Sequence, residues 1–419
     1  MPVSAQAPAP ASTEPKRADE LAKLRSAAAV RERCGMVYRW VADGRSPHFS
    51  LDESRLPAVA AYVAEVTRAD YPDLRIPYHS RWRHLSVGGV DRWGELAAGL
   101  DVDATERARI AVDLATVSVL LDAGAGDAWK YREGERWYAR SEGLAVASLA
   151  MFRAGAFSSN PRIPYRVDHI ALAKVDAATL ARHFQVDPNN PLIGLEGRSA
   201  LLRRLGDALA NRSDLFGREP ARPGHLVDHF LTRDRNRIAA AAVLAALLDG
   251  LSSIWPSGVA INGVPIGDAG RHPAVRIGDS TDHIVPFHKL SQWLTYSLLE
   301  PLETAGLAVE RLDELTALAE YRNGGLLLDL GVIWPRAAID PQARFAVSSE
   351  LVVEWRALTV ALMDRLVELV RTELGRGEDF AMPHMLQGGT WTAGRKIARA
   401  LRPPDGPSPI PIAADGTVF

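Results

Sequence analysis

Two short stretches of the chain bring together side chains that could do chemistry. In ELTALAEYRNGG, residues 314 to 325, a carboxylate, a phenol and a guanidinium stand side by side as Glu320, Tyr321 and Arg322, just ahead of Asn323, Gly324 and Gly325. In VPFHKLSQWLTYSLLEPL, residues 285 to 302, Lys289, Gln292, Trp293 and Tyr296 fall on one helix face, so a cation and an amide lie among aromatic surfaces. A carboxylate so placed can act as a general base or steady a developing positive charge. A lysine near a helix N-terminus can hold a phosphate with the help of free backbone N–H groups, and a guanidinium such as Arg322 adds a planar set of donors. Periodicity alone leaves other readings open. Glu320 shares a face with Asp313 and Thr316 and would then point to water, while Lys289 would be a solvated cation over an aromatic rim.

The elements that must position these groups are mostly helices. Apolar residues recur at three-to-four spacing over 19 to 43, 55 to 68, 104 to 121, 141 to 153, 198 to 211, 236 to 252, 286 to 300, 312 to 321, 349 to 373 and 391 to 400. Pro286 suits the first turn of the helix carrying Lys289, and Pro301 helps to end it. The segment 312 to 321 is expected to be a helix that stops at Asn323, Gly324 and Gly325, the turn carrying Glu320 to the edge of a cleft. The fold expected is therefore mainly α, with long ordered loops rich in Trp, Tyr, Arg and His, and at most a small β-hairpin, at NGVPIGD.

Further candidates lie in those loops and at helix ends. Asp122 in LLDAGAG and Glu142 in RSEG could hold and protonate a leaving group; equally, they could be a turn residue and a helix-entry residue. GGTWTAGRK, 388 to 396, places Arg395 about a turn after two glycines, which makes either a rival phosphate site or a capped, tightly packed helix start. HSRWRH, 79 to 84, offers two histidines, two arginines and Trp82, read as loop anchoring and sugar contact rather than metal binding, because no third ligand accompanies the histidines. Trp129 and Trp391 are read as core or cleft wall.

Composition excludes several classes. With 49 basic and 51 acidic side chains, nothing calls for a general attraction to nucleic acid or to an anionic membrane. The apolar run from Ile238 to Trp255 is interrupted by Asp249 and Gly250 and falls short of a membrane span. The lone Cys34 cannot form an internal disulfide, which fits a cytoplasmic location, and no metal or cofactor is expected. Residues 1 to 20, rich in Ala, Pro and Ser, read as a loose tail, and 21 to 419 as one compact helical unit with a cleft between an N-terminal lobe to about 215 and a C-terminal lobe from about 216.

Read as one unit, residues 285 to 332 resemble the C-terminal signature of the queuosine-nucleotide salvage nucleosidases, in which a Pro-Phe-Tyr-Lys segment is followed by an Ala-Asp-Tyr-Arg motif. More of the chain, through IPYHSRWRH, LLDAGAG, RSEGLAVAS, VPFHKLSQWLTYSL, EYRNGG, VVEWRALTV, GGTWTAGR and DGTVF, resembles a family attached to the URC pathway of pyrimidine degradation. The resemblance implies a DNA-glycosylase-like two-lobed fold and a hydrolase of ribosylurea or its 5′-phosphate. Glu320 would be the catalytic carboxylate, Lys289 would act at the phosphate, and His288, Gln292, Tyr321, Arg322, Trp82 and Arg395 would contact substrate. Other enzymes of the pathway would be the partners. The acid is one methylene longer than the aspartate of the salvage enzymes, and Asn-Gly-Gly replaces their Val-Pro-Gln. A phosphoribosyltransferase and a non-catalytic pathway partner are the alternatives; for the transferase, DSTDH (279 to 283) and DGTVF lack the strand context that class needs.

Overall fold

The computed structural model describes residues 13–126, 128–233, 236–255 and 259–413. The closing DGTVF and the first twelve residues lie outside that range, while the end of the stretch read as loose, residues 13 to 20, belongs to a helix from Thr13 to Leu24. The helices that build the core are α1 (Thr13–Leu24), α2 (Ala27–Ala42), α3 (Leu56–Asp70), α4 (Ala104–Leu120), α5 (Arg140–Arg153), α6 (Leu195–Asn211), α7 (Ala240–Leu251), α8 (Lys289–Thr304), α9 (Tyr321–Asp329), α10 (Glu350–Leu374) and α11 (Trp391–Leu401). Their starts follow local chemistry. Ser26 caps α2 by accepting from Ala29 N, which divides the single helix expected over 19 to 43, and Asp103 caps α4 by accepting from Glu106 N. Gly375, at φ 65°, ends α10.

Helix α8 lies at the centre, with every residue from Leu290 to Leu299 buried. It packs on α4 and α7, while the long α10 packs on α2 and α3 and also touches α9, and α9 packs on α11. Helices from the first and last thirds of the chain thus share one continuous apolar core. Polar groups inside it are met locally. Ser297 Oγ donates to Trp293 O and accepts from Arg81 N, which fastens the HSRWRH segment to α8.

The fold is mainly α, as expected, but the described residues contain six two-stranded pairings rather than one hairpin. The expected hairpin is present, Ala260–Ile261 against Val264–Pro265, with Asn262 and Gly263 both at positive φ in the turn. Ala269–Arg271 and Ile284–Pro286 close a longer antiparallel loop, and three of the others join distant segments: Phe49–Leu51 with Ile333–Pro335 antiparallel, and Arg237–Ala239 with Ala308–Glu310 and Phe345–Ala346 with Ile412–Ala413 parallel. Such pairs have no local signature, because the partner strands are brought together only by helix packing. Pro286 closes one of these strands instead of opening α8, which starts at Lys289 after His288 at φ 49°. Pro301 lies inside the last turn of α8. No helix among the described residues is long and apolar enough to cross a membrane.

Candidate active site

The segment from Leu315 to Glu320 lies outside any helix, and Glu320, at φ −122° and ψ 159°, is the N-cap of α9. The helix that was expected to end at Asn323–Gly325 instead begins at Tyr321 and carries all three residues inside it. The reason is twofold. Glu320 meets two orphan donors at the helix start, Oε1 accepting from Asn323 N at 2.7 Å and Oε2 from Arg322 N at 2.8 Å. The glycine then allows close packing: a Cβ on Gly324 would stand 2.6 Å from Thr359 Oγ1 and 2.7 Å from Trp355 Nε1 of α10. The non-helical segment before it is held by Gln292, whose Oε1 accepts from Thr316 N and Oγ1 and whose Nε2 donates to Phe287 O.

Glu320 is buried and lines a cavity of about 610 Å³. Of the candidates named from the sequence, Asp122, Glu142, Lys289, Tyr321, Arg322 and Arg395 line the same cavity. Three do not. His288 is buried with Nε2 on Leu24 O, Gln292 is spent on the Thr316 segment, and Trp82 gives Nε1 to Ser297 O while packing on Trp93. Each has a polar edge that the fold uses internally, and a wheel cannot distinguish that from a ligand contact. Gly388, Gly389 and Thr390 are also away from the cavity: the glycines press on Ile76, Val63 and Thr67, so close packing explains them, and only Trp391 and Arg395 of that motif reach it. Trp129 is core, donating to Phe184 O.

The charges are arranged in pairs. Asp122 faces Arg81 at 3.1 Å, both side chains almost fully buried, and Glu142 meets Arg395 at 3.0 Å. Arg395 in turn lies over the Trp391 ring and Arg81 over Trp293. Arg322 donates Nη1 to Gly406 O and covers the Tyr321 ring. Burial pushes the Glu320 carboxyl above its ordinary range, opposed by the two backbone N–H groups and by the Lys289 and Arg322 charges. Burial likewise pulls Lys289 below its usual range, opposed chiefly by Glu320.

Several lining or supporting residues escaped sequence reasoning. Arg198 of α6 donates to Ala123 O and Gly124 O, at 2.6 and 2.8 Å, and to Leu121 O, fixing the loop that carries Asp122. Arg140, at φ 53° where α5 begins, lines the cavity, as do Pro403, Pro404, Asp405, Pro407 and Ser408 after α11. The clustered prolines of that last segment, PPDGPSP, were the one available signal. Chemically, the cavity offers a fixed buried carboxylate, a lysine that bears on it, ion-paired acids, two indoles and the imidazoles of His79 and His84.

The family of proteins of unknown function DUF1688 matches residues 23–419. The chain belongs to that family. Similar proteins include protein urg3 of Schizosaccharomyces pombe, 41% identical over 413 residues that cover 96% of this chain and 99% of the relative. Another is Uracil catabolism protein 4 of Lachancea kluyveri, 38% identical over 433 residues that cover 94% and 98%. The resemblance to the uracil-degradation family read from the sequence therefore holds. Within this DUF1688 chain, the motifs HSRWRH, LLDAGAG, RSEG, EYRNGG and GGTWTAGR, spread over more than three hundred residues, all send side chains to one cavity.

Proposed function

We propose that this protein acts in uracil breakdown as an N-ribosyl hydrolase that splits ribosylurea, or its 5′-phosphate, into urea and ribose or ribose 5-phosphate. The observation that carries the reading is buried Glu320, its carboxylate clamped by two backbone N–H groups at the start of α9, lining one cavity with Lys289. The name of the Lachancea kluyveri relative supports the pathway.

In this reading the C1′–N bond breaks with oxocarbenium character at C1′, and Glu320 stabilises that charge and takes a proton from the attacking water. The oxygen of water bonds to C1′, one proton stays on the new hydroxyl, and the other ends on the departing urea nitrogen. The raised proton affinity of buried Glu320 suits a base. Asp122 and Glu142, each held by an arginine, act as acceptors for the N–H groups of urea. Lys289 and Arg322 grip the 5′-phosphate.

Incubating the purified protein with ribosylurea and with its 5′-phosphate, and measuring free urea, tests the reading directly. Catalytic release from either compound is expected. Tight binding of both without release would make the protein a ligand-binding partner of a pathway enzyme instead.

A further inference from the structure

His79 and His84 stand at the cavity between the same two indoles. Their ring centroids lie 6.4 and 5.6 Å from Trp293 and 6.3 and 5.8 Å from Trp391, respectively. Nδ1 of His79 lies 3.1 Å from Gln387 Oε1, and Gln387 Nε2 donates to the Tyr71 hydroxyl; with the amide turned this way, Oε1 accepts and the tautomer assigned to His79 carries its proton on Nδ1. Its Nε2 is then an acceptor. Nδ1 of His84 is sealed inside the protein and has no partner among the described residues. Orphaned buried N–H groups are rarer than under-used acceptors, so that nitrogen is the bare one and Nε2 of His84 carries the proton. Nε2 is the atom each ring can offer to the cavity, as an acceptor from His79 and a donor from His84.

Burial keeps both rings neutral, each pulled down to about 4. The charges that bear on His84 are spent in pairs, Asp122 with Arg81 and Glu142 with Arg395. An uncharged acceptor beside an uncharged donor does not suit phosphate, which only accepts, or an ammonium, which only donates. It does match the edge of a carboxamide, where an N–H lies next to a carbonyl oxygen, and the flanking indoles suit a flat group.

We propose that His79 and His84 form a neutral acceptor and donor pair that receives the planar amide edge of the ligand between Trp293 and Trp391. That this edge is the ureido group of the substrate rests on the reaction proposed above; the amide subsite does not.

The test uses full-length Glu320→Gln protein, titrated calorimetrically with ribosylurea and with ribose 5-phosphate, alone and with His79→Phe or His84→Phe added. Each phenylalanine is expected to weaken ribosylurea roughly ten- to a hundredfold, the loss of one buried hydrogen bond, and to leave ribose 5-phosphate unchanged. His84→Gln, which restores a donor at similar reach, recovers most of the affinity. Unchanged ribosylurea binding in both phenylalanine variants, or equal weakening of ribose 5-phosphate, overturns the subsite. Histidine 15N spectra of the wild-type protein need no variant: His79 should be protonated at Nδ1 and His84 at Nε2, with both shifting when N-methylurea is added. The same tautomer in both rings, or no response to N-methylurea, also overturns it. If the wild type releases no urea from ribosylurea while both rings respond to N-methylurea, the reaction fails and the subsite stands. If it releases urea and neither ring responds, the subsite fails and the reaction stands.

Discussion

Asp268 and Arg356 meet in a buried two-pronged ion pair, Nη1 to Oδ1 at 2.9 Å and Nη2 to Oδ2 at 2.7 Å. The pair ties together the segments that carry the two central groups of the cavity: Asp268 Oδ2 accepts from Lys289 N at 3.0 Å, and Arg356 Nε donates to Ala319 O, next to Glu320, at 3.3 Å. Removing one partner strands the other charge in the interior. Asp268→Asn is therefore expected to lower unfolding stability by about 3 to 5 kcal/mol in a denaturant titration. A loss of less than about 1 kcal/mol, the range of an exposed pair, would show that Arg356 finds other support.

Glu320→Gln keeps one side-chain oxygen to accept from the start of α9 and removes the charge. The fold should survive with a loss on the order of 1 kcal/mol for the weakened cap. Urea release should fall by at least about a hundredfold, the lower end for losing a positioned base. Circular dichroism and a urea assay on the same preparation decide it, and full turnover by this variant would end the proposed mechanism.

Lys289→Ala should act on binding rather than chemistry. For the phosphorylated substrate KM is expected to rise roughly tenfold or more, as one charge-assisted contact is lost, while free ribosylurea is handled nearly as before. Comparing KM and kcat for the two compounds is the measurement. Equal losses on both would place Lys289 at the sugar or at Glu320 instead of at the phosphate.

The pH profile should be narrowed from both sides. Activity requires ionised Glu320, so kcat/KM falls as pH drops through its pKa, which burial has raised above 4.5; the acid limb lies above that value. The grip on phosphate requires charged Lys289, whose pKa burial has lowered below 10.5, so the alkaline limb for the phosphorylated substrate lies below that value. Stability moves the other way for the acid. A raised carboxyl pKa contributes stability that is complete below 4.5 and is lost as pH rises through the folded value. An acid limb at or below 4.5 would contradict the role given to Glu320.

Gly324→Ala probes the packing of α9 on α10. The added methyl would press on Thr359 Oγ1 and Trp355 Nε1, and a destabilisation of about 1 to 3 kcal/mol is expected. Thermal unfolding beside Gly325→Ala is the comparison, since a Cβ there would meet only Pro409, at 3.4 Å. Equal melting of both variants would mean that α9 sits farther from α10.

Periodicity and residue type in the chain itself decided that this protein is mainly α, where most of its long helices run, and that Glu320, Lys289, Arg322, Asp122, Glu142 and Arg395 were worth naming. These depend on local preferences and on side-chain chemistry, which a linear string carries. The polarity of the Glu320 segment was not legible. Leu312 to Ala319 has helical spacing, yet only Leu312–Glu314 makes a single 3-10 turn, and Gln292, distant in sequence, takes the Thr316 N–H that a continuing helix would use. The same holds for the strand pairs, for Trp82, His288 and Gln292 turning inward, and for Arg81, Arg198, Asp268 and Arg356 acting as supports. Only the tertiary structure could decide which polar groups are consumed by the fold and which are left facing the cavity, because a buried donor or acceptor is assigned by whatever packs against it.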